Sequence, residues 1–260
     1  MTADAYLRGI LQREAVDTGI FSPVRGVQGV IEPVIRAWAN AYLGSITPSG
    51  SFAKGTANKS GTDIDLFISL LPTTKETLKE IYDKLSTRLT EVGYRPKPQN
   101  VSLGIKVNGY SVDLVPGKQQ TILTLDHSLW RRKASTWTKT NVLTHIAHVR
   151  QHGHFDETRI IKLWRDQQGL DFPSFYLELV VIAALSLSNL TLLTNLGGTL
   201  SSRVVSVFTY LRDKLPGARM IDPANGSNVI SEELTVAGKN AIKSAAARVL
   251  QANTWAQVVR

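Results

Sequence analysis

Cysteine is absent from all 260 residues, which excludes disulfides, thiolate metal sites and thiol nucleophiles at once. Long apolar runs are missing too: a membrane-spanning helix needs ~20 apolar residues. The longest candidate, Leu177 to Leu187, is interrupted by Glu178 and reads as a buried helix. The opening Met1-Thr2-Ala3-Asp4 starts a mixed amphipathic segment rather than a charged stretch ahead of an apolar core, so no secretion signal and no membrane partner are expected. Cytoplasm is the default. Internal repeats, low-complexity tracts and long linkers are also lacking. What is there is globular material, 43% hydrophobic, enough at this length to bury one large core or two modest ones.

The most informative stretch runs from Gly50 to Asp65. Asp63-Ile64-Asp65-Leu66-Phe67-Ile68 alternates and then turns apolar, the pattern of a strand entering a buried sheet. Side chains at i and i+2 leave a strand on one face, so Asp63 and Asp65 point together while Ile64 and Leu66 point to the core. Neighbouring carboxylates repel unless a cation or proton neutralises them. Magnesium suits such a pair, because it prefers oxygen ligands and is usually held by one or two carboxylates plus substrate phosphates. A third carboxylate follows from the segment Ser102 to Val115, in which Asn108-Gly109 supplies the positive φ angles of a type I′ hairpin turn. Along its second strand Val112 and Leu114 share one face and Asp113 takes the other. Three carboxylates around two metal ions form a clamp for in-line phosphoryl displacement.

These residues resemble a known family. Gly50-Ser51-Phe52-Ala53-Lys54-Gly55-Thr56, the Asp63-to-Leu66 strand and Val112-Asp113-Leu114-Val115-Pro116 look like the three motif blocks of the DNA polymerase β nucleotidyltransferase superfamily. The likeness is to the branch that holds archaeal CCA-adding enzymes, oligoadenylate synthases, cyclic GMP-AMP synthase and bacterial cyclic-oligonucleotide synthases. Arg159-Ile160-Ile161-Lys162-Leu163-Trp164, then Pro173-Ser174-Phe175-Tyr176-Leu177-Glu178-Leu179, is similar to the helical-domain motifs of that branch. Ile221-Asp222-Pro223 with Asn225 and Asn228 looks like its late Asp-Pro segment. The resemblance implies an α+β fold: a nucleotidyltransferase sheet with helices on one face, plus a C-terminal helical domain forming the other wall of a cleft. It implies nucleotide contacts from Gly50, Ser51, Lys54, Lys162, Ser174 and Tyr176. It also implies catalytic metal ligation by Asp63, Asp65 and Asp113, two Mg2+ or Mn2+ ions, and a nucleoside triphosphate substrate such as ATP.

Periodicity supplies the organisation. Val27, Val30, Ile31, Val34, Ile35, Trp38 and Tyr42 recur at helical spacing, as do Leu78, Ile81, Tyr82, Leu85 and Leu89 between the Asp-bearing strands. Strand signals fade after Pro116, and helices are expected near residues 141–151, 156–167, 174–187, 199–214 and 231–252. The expected division is therefore 1–117 for the catalytic domain and 118–260 for a helical one, with the N-terminal helix packing on the second. Between Lys118 and Arg165 stand nine basic residues against Asp126, Asp156 and Glu157, which concentrates +6 of the formal +9 in this segment. With Trp130 and Trp137 interleaved, residues 118–165 suit a polyanion such as RNA, or simply a solvated face.

Other features carry less. His145, His148 and His152 fall at helical spacing, with His154 just beyond, yet without cysteine or a nearby carboxylate at ligand spacing they read as a helix end rather than a zinc site. Gly197-Gly198 reads as a turn, and Ser51 lacks the Gly-x-Ser-x-Gly elbow of a hydrolase. The leading functional expectation is metal-dependent transfer of a nucleotidyl group to an acceptor hydroxyl with release of pyrophosphate, giving a linear or cyclic oligonucleotide. Template-independent addition to an RNA 3′ end is the alternative. A silent nucleotide- or RNA-binding module is the third reading, against which three intact carboxylates argue. The acceptor, the base, the linkage and the oligomeric state stay open at this point.

Overall fold

A computed structural model describes residues 2–17, 19, 21–61, 63–191 and 198–260, of which 187–191 by backbone alone. Gly197 of the expected Gly-Gly turn lies outside the described residues. The chain divides into two compact units: Met1–Val16 with Gly55–Gly61 and Ala147–Arg260, and Asp17–Lys54 with Thr62–Ile146.

In chain order the elements begin with α1 (Ala3–Arg13), α2 (Pro23–Ala39), β1 (Leu43–Pro48), α3 (Gly50–Lys54), β2 (Ile64–Leu70), α4 (Leu78–Glu91) and β3 (Lys97–Pro98). They continue with β4 (Leu103–Val107), β5 (Tyr110–Gln119), β6 (His127–Arg131), β7 (Thr136–Thr140), α5 (Val142–His152), α6 (Phe155–Gln167) and α7 (Ser174–Thr191). Last come α8 (Leu200–Asp213), β8 (Ile221–Asp222), β9 (Asn225–Val229) and α9 (Val236–Val249). Among the described residues no helix is long and apolar enough to cross a membrane.

The second unit is built on one mixed sheet with the order β1-β2-β5-β4-β3, extended by β6 on β5 and by β7 on β6. Strands β2 and β5 are parallel, and their register pairs Ile64 with Val112, Asp65 with Asp113 and Phe67 with Val115. The β4–β5 hairpin turns through Asn108 (φ 49°) and Gly109 (φ 84°), both in the left-handed region that a type I′ turn requires. Ile64, Leu66, Ile68, Val112 and Leu114 are buried, together with Ile31 and Ile35 of α2 and Ile81, Leu85 and Leu89 of α4. Helix α4 starts in a full capping box: the Thr77 hydroxyl accepts from the Glu80 N–H, and the Glu80 carboxylate accepts from the Thr77 N–H.

Strands β6 and β7 prolong the sheet beyond Pro116, and the sheet unit runs on to Ile146. Their residues, His127-Ser-Leu-Trp-Arg and Thr136-Trp-Thr-Lys-Thr, are mostly polar and, apart from His127, Leu129 and Thr140, partly or fully exposed, so their strand signal is weak by hydrophobic pattern alone and comes from pairing of β6 on β5 and of β7 on β6. The first unit is helical. Leu7 and Ile10 of α1, Ile160, Ile161 and Trp164 of α6, Tyr176 and Val180 of α7, Val204 and Phe208 of α8 and Ile242 of α9 form one continuous core. Trp164 and Phe208 meet edge to face at 4.9 Å.

A buried imidazole belongs to the sheet unit. His127 Nδ1 lies 2.8 Å from the Leu125 carbonyl, which only accepts, so Nδ1 carries the proton and Nε2 faces the Ser69 hydroxyl at 2.7 Å. The Phe67 ring packs edge-on against it at 4.9 Å. Burial pushes its pKa below the ordinary 6.5, outweighing the Leu125 hydrogen bond and the charge of Asp126. A histidine depressed in the folded state binds its proton more readily when unfolded, so its stabilisation is present above pH 6.5 and is lost as pH falls below that toward the folded value. Thermal melting followed from pH 7.5 to 5 should show this loss, and His127→Gln should flatten the part that His127 supplies. His154 in the helical unit, also depressed by burial, contributes its own share in the same window.

Candidate active site

The Gly50-Ser51 turn is built by β1 ending where β2 begins its apolar run. The Ser49 N–H donates to the Asp65 carbonyl at 2.8 Å, and the short helix α3 starts at once. Gly50 takes φ +58°, and a Cβ placed on it would stand 1.7 Å from Asp65 Oδ2. No side chain fits there. Glycine is required twice over, by the backbone angle and by the carboxylate that occupies the space a Cβ needs. The absence of a Gly50 side chain is what lets the Asp65 carboxylate lie directly against the main chain of the turn.

Asp65 and Asp113 are register partners on adjacent parallel strands and leave the sheet on the same face. Asp63 precedes β2 and is exposed. The Asp113 carboxyl is pushed up from its ordinary range, first by burial and then by the charge of Asp63; a hydrogen bond from Gln99 works the other way. The charge of Asp63 is thus felt at the Asp113 carboxyl. Oxygen-only donors, crowded negative charge and partial burial match a hard divalent cation. Among the described residues no group of three or more His, Asp or Glu side chains is preassembled as a metal cage. The carboxylates form an open set that substrate phosphates would complete, which is the usual manner for magnesium.

Beside Gly50 a cavity of about 130 Å³ opens, lined by Ser49, Lys54, Phe67, Val115, Leu129 and His145 among others. Lys54 sits at the end of α3 and is buried. Two residues that the sequence did not single out complete the face. Gln99, just after β3, donates from Nε2 to Asp113 Oδ1 at 2.8 Å, and the Ser102 hydroxyl donates to Gln99 Oε1 at 3.0 Å. Periodicity carries no signal for a glutamine in a loop; only the strand pairing brings it to Asp113.

In the helical unit three expected nucleotide contacts fare differently. Lys162 is held inside the unit. Its ammonium is buried and donates to Glu178 Oε1 at 2.7 Å, to Thr56 Oγ1 at 2.9 Å and to the Thr56 carbonyl at 3.4 Å. Those bonds engage all three of its donors. Thr56 in turn donates to Glu178 Oε1 at 2.6 Å, and Glu178 is 1% exposed. The lone acid in an apolar run, Glu178, was the available sequence signal, since a buried carboxylate demands a cation nearby. Tyr176 is fully buried, its ring edge-on to Phe172 at 5.3 Å, and burial raises its hydroxyl to about 12. Ser174 differs from both, being exposed at the start of α7 and accepting from Arg165 Nη1 at 2.8 Å. Its own O–H proton is left for another acceptor. Arg165 also donates to Asp166 and to the Phe172 carbonyl.

Asp222 of the Asp-Pro segment is buried. It accepts from the Ala224 N–H at 2.8 Å and from Asn228 Nδ2 at 3.1 Å, holding the β8–β9 turn. Of the histidines, His148 and His152 stack at 4.7 Å with His152 Nδ1 on the His148 carbonyl.

Comparisons with known proteins agree with this geometry. Residues 33–118 match the family model described as nucleotidyltransferase domain. The chain is 24% identical over 253 residues to cyclic AMP-AMP-AMP synthase of Escherichia coli (strain MS 115-1), covering 85% of this chain and 79% of that protein. Its fold is similar to that of the Elizabethkingia meningoseptica CdnE cyclic dinucleotide synthase solved with GTP and Apcpp (TM-score 0.73, 12% identity, 97% of this chain and 100% of that one). It is also similar to that of Cid1 poly(U) polymerase (TM-score 0.65, 13% identity, 97% and 95%).

Proposed function

From a chain whose residues 33–118 form a nucleotidyltransferase domain of the polymerase β-like superfamily, we propose a metal-dependent synthase that joins nucleotides into a small linear or cyclic oligonucleotide. The observation that carries this reading is the in-register pair Asp65 and Asp113, with the charge of Asp63 acting on Asp113 and Gly50 packed against the Asp65 carboxylate. Its support for the product is the similarity, along 85% of the chain, to a cyclic trinucleotide synthase.

Asp63, Asp65 and Asp113 would hold Mg2+ or Mn2+, which supplies charge neutralisation at the reacting phosphate when bound. Gly50 lets the main chain approach the phosphates, and the Ser51 hydroxyl and nearby N–H groups donate to their oxygens. Lys54 places a cation at the same turn. In the helical unit Ser174, with Arg165 beside it, is the phosphate contact, while Lys162 keeps Glu178 and Thr56 together. Asp113 accepts the proton of the acceptor hydroxyl as it attacks the α-phosphorus, and pyrophosphate leaves. Positioning and electrostatic stabilisation supply nearly all the rate.

A second reading, nucleotide addition to an RNA 3′ end, is favoured by one surface. The β6–β7 hairpin pairs Trp130 with Trp137 and Arg131 with Thr136 and turns through Arg132 and Lys133, and Trp137 is 55% exposed, so a base and its phosphates would both find partners there. One experiment separates the readings. The protein is incubated with the four nucleoside triphosphates and Mg2+ or Mn2+, with and without total RNA, and phosphatase-resistant products are identified by mass. Small products without RNA are expected. Label confined to RNA 3′ ends, weakening steeply with salt, would instead promote the second reading.

A further inference from the structure

We propose that Gln99 is a positioning residue that sets the orientation of the Asp113 carboxylate, and that Ser102 sets the orientation of Gln99. The proposal rests on the reading above that Asp113 is one of the reacting carboxylates.

Gln99 is an exposed residue of the short β3–β4 turn, where a long side chain ordinarily keeps its rotamer freedom. Here both ends of its amide are committed. Nε2 donates to Asp113 Oδ1 at 2.8 Å, and Oε1 accepts from the Ser102 hydroxyl at 3.0 Å. This polarity is forced, because an ionised carboxylate cannot donate and the hydroxyl can. The backbone beneath is held as firmly. The Gln99 N–H donates to the Ser102 carbonyl at 2.9 Å. The Gln99 carbonyl accepts from the hydroxyl of buried Tyr82 and from Arg132 Nε, each at 3.0 Å. The Tyr82 hydroxyl also lies 2.9 Å from the Ser102 carbonyl.

Gly104 provides the space. It pairs with Asp113 across the β4–β5 ladder, and a Cβ there would stand 3.0 Å from Gln99 Nε2 and 3.1 Å from Asp113 Oδ1. A glycine in the interior of a strand has a cost, and often marks a place where other groups approach closely. Fixing Oδ1 fixes the carboxylate plane, so Oδ2 is presented in one direction to a metal ion or an acceptor hydroxyl. A freely rotating carboxylate would have to be ordered at each turnover.

The test uses the full chain with Gln99→Leu, which keeps bulk and removes the donor, and Ser102→Ala, which removes the hydroxyl behind it. Turnover is read as pyrophosphate release. Mn2+ affinity in the presence of a non-hydrolysable triphosphate is read by electron paramagnetic resonance of the free ion, which reports on the carboxylates whether or not turnover is observed. Losing a hydrogen bond to a charged group predicts about a tenfold fall in kcat for Gln99→Leu with KM for the triphosphate little changed, and Mn2+ bound several-fold more weakly. Ser102→Ala should move both readouts the same way by less, and the double variant should be no worse than Gln99→Leu, as expected of one chain of contacts. Melting temperature should stay put. Wild-type kcat and Mn2+ affinity in Gln99→Leu, while Asp113→Ala is inactive, would overturn the positioning role alone. A fully active Asp113→Ala would overturn the reading beneath it. Additive losses in the double variant, or losses that track a lowered melting temperature, would make the contact structural and refute the proposal.

Discussion

Asp65→Ala should abolish nucleotidyl transfer, by several orders of magnitude, while the fold survives. Asp65 stands in the middle of the carboxylate set, in register with Asp113 and in contact distance of Gly50. Removing it takes away the register partner of Asp113, and metal-assisted displacement would depend on that charge. The side chain is only half-buried, so its loss opens no sizeable cavity. Gly50→Ala should produce a similar loss by a different route. A methyl group at φ +58° pays about 1–2 kcal/mol for the left-handed backbone. It also meets the Asp65 carboxylate at 1.7 Å, so the carboxylate must turn away. Pyrophosphate release at saturating Mg2+ together with a circular dichroism melt checks both variants. Undiminished release from Asp65→Ala would sink the site assignment. Normal activity in Gly50→Ala would mean that the turn rearranges without consequence.

The largest stability effect should come from Lys162→Ala, at roughly 3–5 kcal/mol of destabilisation. Lys162 and Glu178 are 6% and 1% exposed at the side chain and 2.7 Å apart, with the Thr56 hydroxyl between them. Removing the cation strands a carboxylate in the helical core, where water does not reach it. Replacing both partners with apolar residues of similar volume, Lys162→Met with Glu178→Leu, removes both charges and should recover most of the loss. Denaturant titration of the single and double variants measures the difference. The folded double variant also separates structure from binding. Titration calorimetry with a non-hydrolysable triphosphate should give near wild-type affinity if Lys162 holds the core, whereas Ser174→Ala should weaken binding by about 1–3 kcal/mol. A tenfold or greater loss of affinity in the stable double variant would restore Lys162 to the phosphate contacts.

The candidate carboxylate face was legible in the sequence because its elements are local. Alternation over Asp63 to Ile68 needs only strand geometry to put carboxylates on one side, and Asn108-Gly109 needs only its backbone preferences to make the β4–β5 hairpin that carries Asp113. The helices α2, α4, α6, α8 and α9 announced themselves by 3.6-residue spacing of apolar residues for the same reason. Strands β6 and β7 did not, since mostly polar, partly exposed residues become strand only by pairing with an existing edge, and with them the sheet unit runs on to Ile146.

Side-chain partnerships across long separations were decided by the fold alone. Lys162 reads as a phosphate ligand in a motif, yet its partner Thr56 is 106 residues away, and the buried Glu178 makes an internal ion pair the stable arrangement. Gln99 reaches Asp113 across 14 residues because β4 lies between β3 and β5 in the sheet. The sequence by itself determined which groups are candidates for the chemistry, since residue type and local spacing set charge and facing. Tertiary structure decided which of those atoms are held, buried or open to a substrate, because hydrogen-bond geometry and desolvation depend on neighbours that no local pattern records.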